Sequence, residues 1–232
     1  MKANSIRARV RAEMTDEIKE IARRHLATDG ANLSLRAVAR DLGMVSSAIY
    51  RYFPSRDDLL TALILDAYNA LGGSAEKAVA AVPAEAHAAR WLALARAVRD
   101  WALEHPHEYA LIYGSPVPGY RAPADTVAAA TRAVTVLGGI LQAASAAGAL
   151  RPNEDGLPPA GSVADLDRIR AAIAPDVPAA TLARALSAWV ALFGQVSFEI
   201  FGQLSNTINH PAEFFEHQMR AHARYIGLEA PA

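Results

Sequence analysis

The sequence predicts an all-α fold, a three-helix helix-turn-helix head at the N-terminus of a larger helical body. Three observations lead there. The chain is 52% apolar and 20% charged, and its extra apolar weight is mostly alanine, which with leucine, arginine and glutamate favours helices. Apolar residues recur at helical spacing through most of its 232 residues. Between Leu33 and Phe53, two short helical patterns meet at Gly43 with almost nothing between them. A turn this short forces the two helices to pack at a steep angle.

Within that stretch, Ser34 offers an N-cap oxygen, and Val38, Ala39 and Leu42 form an apolar stripe. Gly43 stands where a left-handed C-cap is needed. In the second pattern Ala48, Ile49, Tyr52 and Phe53 share one face, while Ser46, Ser47, Tyr50 and Arg51 point away from it. Small residues, an Arg and a Tyr hydroxyl suit a major groove: close approach, a guanine edge and a phosphate. An ordinary helical hairpin with a wet polar face is the plain alternative.

Charge is distributed to match. The chain as a whole is at −1, but residues 1–56 hold 11 Lys/Arg against 6 Asp/Glu (+5) and residues 57–232 hold 12 against 18 (−6). A basic head on an acidic body concentrates attraction for phosphate at one end. Cysteine is absent, which excludes a disulfide framework and a thiolate metal site and fits a cytoplasmic location. The N-terminus lacks the apolar core of a signal peptide. The stretches 127–150 and 189–204 read as buried helices rather than spans, because both carry polar residues and the second is short of the ~20 residues a span needs.

In order, residues 1–12 form a basic arm (Lys2, Arg7, Arg9, Arg11), either a disordered start or an added phosphate and minor-groove contact. A helix over about 10–28 follows, its stripe Ile18, Ile21, Ala22 and Leu26, closed by Gly30. After the helix-turn-helix, Ser55 is an N-cap with Asp58 at the capping-box position. That helix should reach about Ala81, with Gly72-Gly73 a weak point. The body is expected to hold helices at 86–105, 107–113, 124–147, 178–205 and 211–226. Residues 151–164 read as a loop and 165–174 as one or two turns. The domain division expected is a head at 1–56, a linking helix at 57–82 and a ligand-binding and dimerisation body at 83–228.

Gly43 through Leu60, Gly-Met-Val-Ser-Ser-Ala-Ile-Tyr-Arg-Tyr-Phe-Pro-Ser-Arg-Asp-Asp-Leu-Leu, resembles the DNA-binding core of the TetR family of one-component transcriptional regulators. The body resembles a subgroup common in actinobacteria, through residues 106–120 and 189–202. That subgroup places His in a Trp-x-x-x-His-Gly pattern where this chain has Phe193, so a role for such a histidine does not transfer. The resemblance implies DNA-contacting roles for Ser34, Arg36, Ser46, Ser47, Ala48, Tyr50, Arg51 and Arg56. Ser34 and Arg36 match contacts to phosphate and bases, Ser46 to Ala48 the base-facing start of the recognition helix, Tyr50 a phosphate contact, and Arg56 a basic residue opening the next helix. Arg36 or Arg51 could read guanine in two-pronged fashion, each such contact worth roughly 1–3 kcal/mol of discrimination. Tyr52 is as readily core as contact. Val45 stands where the family has an N-cap Ser. Either Ser46 takes over the cap or the cap is lost, at about 1 kcal/mol.

The resemblance further implies repression at a palindromic double-stranded operator, bound as a homodimer. The dimer-forming pair is expected at about 178–205 and 211–226, apolar helices whose Gly194, Ser197 and Gly202 allow close approach. The remaining helices would enclose a pocket for a hydrophobic or aromatic effector, with Trp91, Trp101, Tyr109, Tyr113, Trp189 and Phe193 as lining candidates or plain core. No cofactor or metal is expected. His105-Pro-His107 lacks helical ligand spacing, and His105 is better placed to cap a helix. An enzyme is disfavoured, since no nucleophile elbow, phosphate loop, dinucleotide fingerprint or paired-His motif is present. A DNA-coating protein, and a ligand- or protein-binding module that has lost DNA recognition, are the competing classes.

Overall fold

The computed structural model describes residues 2–30, 33–152 and 159–228. Among these, regular structure is entirely helical: α1 (Lys2–Asp29), α2 (Leu35–Asp41), α3 (Ser46–Ile49), α4 (Arg56–Ala80), α5 (His87–Glu104), α6 (Pro106–Tyr113), α7 (Thr126–Ala130), α8 (Arg132–Ala146), α9 (Ala160–Ile173), α10 (Ala179–Ile200) and α11 (Pro211–Ile226). The chain forms two compact units, one of Met1–Ala70 with His105–Ala130, the other of Leu71–Glu104 with Thr131–Ala232.

In the first unit the predicted stripe of α1 (Ile18, Ile21, Ala22, Leu26) is buried together with Val38 and Ala39 of α2, Ile49 of α3, Phe53, and Leu59, Leu60 and Leu63 of α4. Leu111 of α6 and Val117 and Tyr120 of the following loop pack against this core. The Tyr120 hydroxyl lies 2.9 Å from Thr61 Oγ1. The α6 segment therefore completes the helix-turn-helix core, a long-range pairing that periodicity does not reveal.

The second unit is built around α5, α8, α10 and α11. Trp91, Leu94, Val98 and Trp101 of α5 are buried, as are Leu137, Ile140 and Leu141 of α8, Leu182, Leu192 and Val196 of α10, and Phe215 and Met219 of α11. The Trp91 indole N–H donates to the Met219 carbonyl at 2.9 Å, tying α5 to α11 inside the core.

Several expectations are corrected. The arm is helical: α1 starts at Lys2 rather than near residue 10. Gly72-Gly73 does not interrupt α4. A Cβ at Gly72 would stand 2.7 Å from Arg132 Cβ, so the glycine admits α8 against α4. Arg132 then donates to both carboxylate oxygens of Glu76, at 2.9 and 2.6 Å. The helix expected at 124–147 is two, α7 and α8, separated at Thr131, whose carbonyl accepts from both the amide and the hydroxyl of Thr135 at 2.9 Å. Much of the stretch read as loop and short turns is α9, 14 residues with Leu166 buried. The expected helix to residue 205 stops at Ile200, and Gly202 turns the chain at φ +79°. Among the described residues α10 has the length and hydropathy of a membrane span. It nevertheless buries Arg184, which donates to Thr181 Oγ1 and the Ile226 carbonyl.

Candidate nucleic-acid interface

The site begins with two backbone devices. Ser34, extended at φ −122°, accepts from the Ala37 amide at 3.4 Å and caps α2. At the other end Gly43 is left-handed at φ +67°, the Gly43 amide donates to the Arg40 carbonyl at 3.0 Å, and the Met44 amide reaches back to Ala39 at 2.8 Å. This pair of bonds is a Schellman turn, which closes α2 and redirects the chain within three residues. Any L side chain at residue 43 would be strained there.

The next helix is short. Val45 occupies the N-cap position with no side-chain hydrogen bond, and α3 starts at Ser46. Ser46 does not take over as cap, so the capping bond is lost. The Ala48 amide instead closes a tight turn onto the Val45 carbonyl at 2.8 Å, and Arg51 and Tyr52 continue with bonds to Ala48 and Ile49. Ile49 is fully buried and holds the segment to the core.

Outward, Ser34, Arg36, Ser46, Ser47, Tyr50 and Arg51 are exposed, and Ala48 is half-buried. Tyr50 is 43% exposed, a large aromatic left in solvent beside two serines. Arg56 is half-buried at the first position of α4, 3.6 Å from Asp57. Just ahead of it, Ser55 Oγ accepts from the Asp58 amide at 3.1 Å and its hydroxyl donates to the Asp58 carboxylate at 2.7 Å, the predicted cap.

Sequence reasoning placed Arg11 in a basic arm and did not foresee its packing against Arg51 and Tyr52. Its Nη2 donates to the Arg51 carbonyl at 2.8 Å and its guanidinium sits 5.3 Å from the centre of the Tyr52 ring. Tyr52 is thus half-buried under Arg11 rather than presented outward. The signal was a basic residue in the arm, readable only once the arm is known to be helix. Charged contacts brace the surrounding helices: Arg23 and Lys19 of α1 meet Asp66 of α4 at 2.8 and 2.9 Å. His25 lies 2.7 Å from Asp41, and this hydrogen bond holds the Asp41 carboxyl below the usual carboxylate range.

The six aromatic candidates are divided between the two units. Tyr109 and Tyr113 lie in the first unit, their rings 5.1 Å apart, with Tyr113 edge-on to Tyr68 at 6.1 Å. Burial raises the Tyr113 hydroxyl above its ordinary pKa. In the second unit Trp91 and Trp101 are buried in α5, while Trp189 and Phe193 pair at 4.8 Å on α10. His105 stands at the N-cap position of α6 without a side-chain capping bond there. Among the described residues no group of three or more His, Asp or Glu is arranged to hold a metal.

Fold and site together define a helix-turn-helix protein with a helical C-terminal body. Residues 18–63 match the family model of bacterial regulatory proteins of the tetR family, and residues 91–222 match that of the tetracyclin repressor-like C-terminal domain. HTH-type transcriptional regulators of Mycobacterium bovis and Mycobacterium tuberculosis are 40% identical over 213 residues, covering 90% of this chain and 91% of theirs. The crystal structure of regulatory protein SCO4313 superposes with a TM-score of 0.75 at 38% identity, over 93% of this chain and 97% of that one. A Rhodococcus protein of unknown function follows at a TM-score of 0.66 and 26% identity, over 91% and 93%. The chain belongs to the TetR family of transcriptional regulators.

Proposed function

We propose that this regulator represses transcription by binding a palindromic operator as a homodimer and leaves it when a small hydrophobic or aromatic ligand binds the body. The exposed face of the helix-turn-helix carries the reading. Ser34, Arg36, Ser46, Ser47, Tyr50 and Arg51 stand in solvent while Val38, Ala39 and Ile49 anchor the same two helices in the core. Ser46, Ser47 and Ala48 approach bases, Arg36 and Arg51 read guanine edges, and Ser34, Tyr50 and Arg56 hold phosphates.

The dimer forms through α10 and α11. Val190, Phe198 and Phe201 of the α10 segment and Tyr225 of α11 are exposed large apolar residues. Phe198 also lines an apolar groove of about 410 Å³ with Gly194, Leu204, Phe214 and His222. A second copy covering this face would bury it and set two recognition helices at paired half-sites. Ligand would act by favouring a dimer whose recognition helices no longer match groove spacing.

The test is base preference. Arg36→Ala and Arg51→Ala, compared with wild type on a selected duplex and its single-base variants, should each relax discrimination at one base pair, by roughly 1–3 kcal/mol. Unchanged preference in both variants would rule out direct readout by these arginines.

A further inference from the structure

A groove of about 950 Å³ in the second unit is unrelated to the aromatic candidates and to the apolar face of α10 and α11. Its walls are the first turn of α5, the connection after α8, and the C-terminal half of α11 with Leu228. The glycine that ends α11, Gly227 at φ +97°, accepts from the Arg151 amide at 2.9 Å, which fixes the α8 connection against that helix end.

The lining is built for negative charge. Arg96, Arg151 and Arg220 converge on it from three different elements. Glu216 bonds both Arg96, at 2.8 Å, and Arg220, at 2.8 Å, so one carboxylate is shared by two guanidiniums. Arg151 has no side-chain partner among the described residues, and Glu85 is the acidic residue in the wall. The start of α5 adds donors: the Ala88 and Ala89 amides, in its first turn, have no acceptor among the described residues. His87, 8% exposed and part of the same wall, keeps its Nδ1 buried without a hydrogen-bond partner. Free amides at a helix start and uncommitted guanidinium charge share one missing element, an oxyanion.

We propose that this groove binds a small molecule through a phosphate or carboxylate group, held by Arg151 and the α5 amides, with Arg96 and Arg220 supplying the surrounding field. The volume admits a metabolite rather than a bare ion. Occupancy of the groove is independent of the DNA target, because it is read from binding to the chain itself.

The test is calorimetric titration of the full chain with inorganic pyrophosphate and, separately, with citrate, at fixed ionic strength set by chloride. Saturable one-site binding of at least one probe is expected, and the preferred probe separates phosphate from carboxylate ligands. Arg151→Gln should weaken it by about tenfold or more. So should Ala88→Pro, which removes one amide at a position where proline fits the first helical turn. Arg168→Gln, on α9 outside the groove, should bind as wild type, and thermal unfolding without probe controls for folding. Binding that is equal in wild type and both groove variants would mean an adventitious ion only, and absence of saturable binding by either probe would overturn the site.

Discussion

Arg11 closes the C-terminal end of the recognition segment: its guanidinium donates to the Arg51 carbonyl at 2.8 Å while lying 5.3 Å from the centre of the Tyr52 ring. One side chain from α1 thereby satisfies an orphan carbonyl and covers the aromatic residue beside the exposed face. Helix ends leave such carbonyls without intrahelical partners, and cations favour that end. Because α3 lacks a side-chain cap at Val45, its geometry depends more on this contact and on Ile49 than on its own four residues. Arg11→Ala should therefore lower DNA affinity several-fold and destabilise the chain by about 1 kcal/mol, in thermal unfolding and anisotropy titration. Unchanged affinity would place α3 under the control of the core alone.

Tyr50→Phe and Arg56→Ala should weaken binding to all duplexes alike, since both act on phosphate. For Arg56→Ala the slope of log affinity against log salt should fall by about 1 in magnitude. Titration of several duplexes at a series of salt concentrations checks this. A change of base preference in either variant would reassign that residue to base reading.

Trp91→Phe removes the indole donor from a core contact and leaves the Met219 carbonyl without its partner. The expected cost is about 2 kcal/mol, from a small cavity and a lost buried hydrogen bond. Chemical denaturation measures it. A cost near zero would show that α5 and α11 are held by side-chain packing without that bond.

His222 lines the α10–α11 groove, and burial lowers its pKa from the ordinary 6.5. The polar groups lining the groove with it, Gln195 and Gln218, carry no charge. A histidine depressed in the buried state is neutral there, so the buried state loses stability as pH falls from 6.5 through the lower value. The folded chain should consequently lose stability over that window, measured by thermal unfolding at a series of pH values, and His222→Leu should flatten the dependence. Phe198→Asp should give monomer at neutral pH. Stability that does not change with pH would remove His222 from the buried set, and a dimer surviving Phe198→Asp would move the interface elsewhere.

The parts legible in the sequence are those fixed by local chemistry. Gly43 needed a left-handed backbone and has one, Ser55 and Asp58 form the cap their spacing implied, and α11 runs between Pro211 and Gly227 as read. What escaped depends on context. Pro159 before Ala-Gly-Ser looked like loop, yet it stands at the N-cap of α9, which buries Leu166. The break at Thr131 lies inside an Ala-rich run and leaves no mark in apolar periodicity. Packing of Leu111, Val117 and Tyr120 onto the head core joins residues some fifty positions or more from those they touch, and no local pattern encodes it. Tyr109 and Trp91 are both fully buried, in different units, and aromatic content alone does not separate pocket lining from core.

The most direct measurement is a selection of bound fragments from a random duplex pool by the purified chain, run at two salt concentrations. A sequence-specific dimer enriches a palindrome with half-sites about one helical turn apart, at both salts. Binding that collapses as salt rises and enriches no motif would mean phosphate contact alone, and would contradict a reading role for α3.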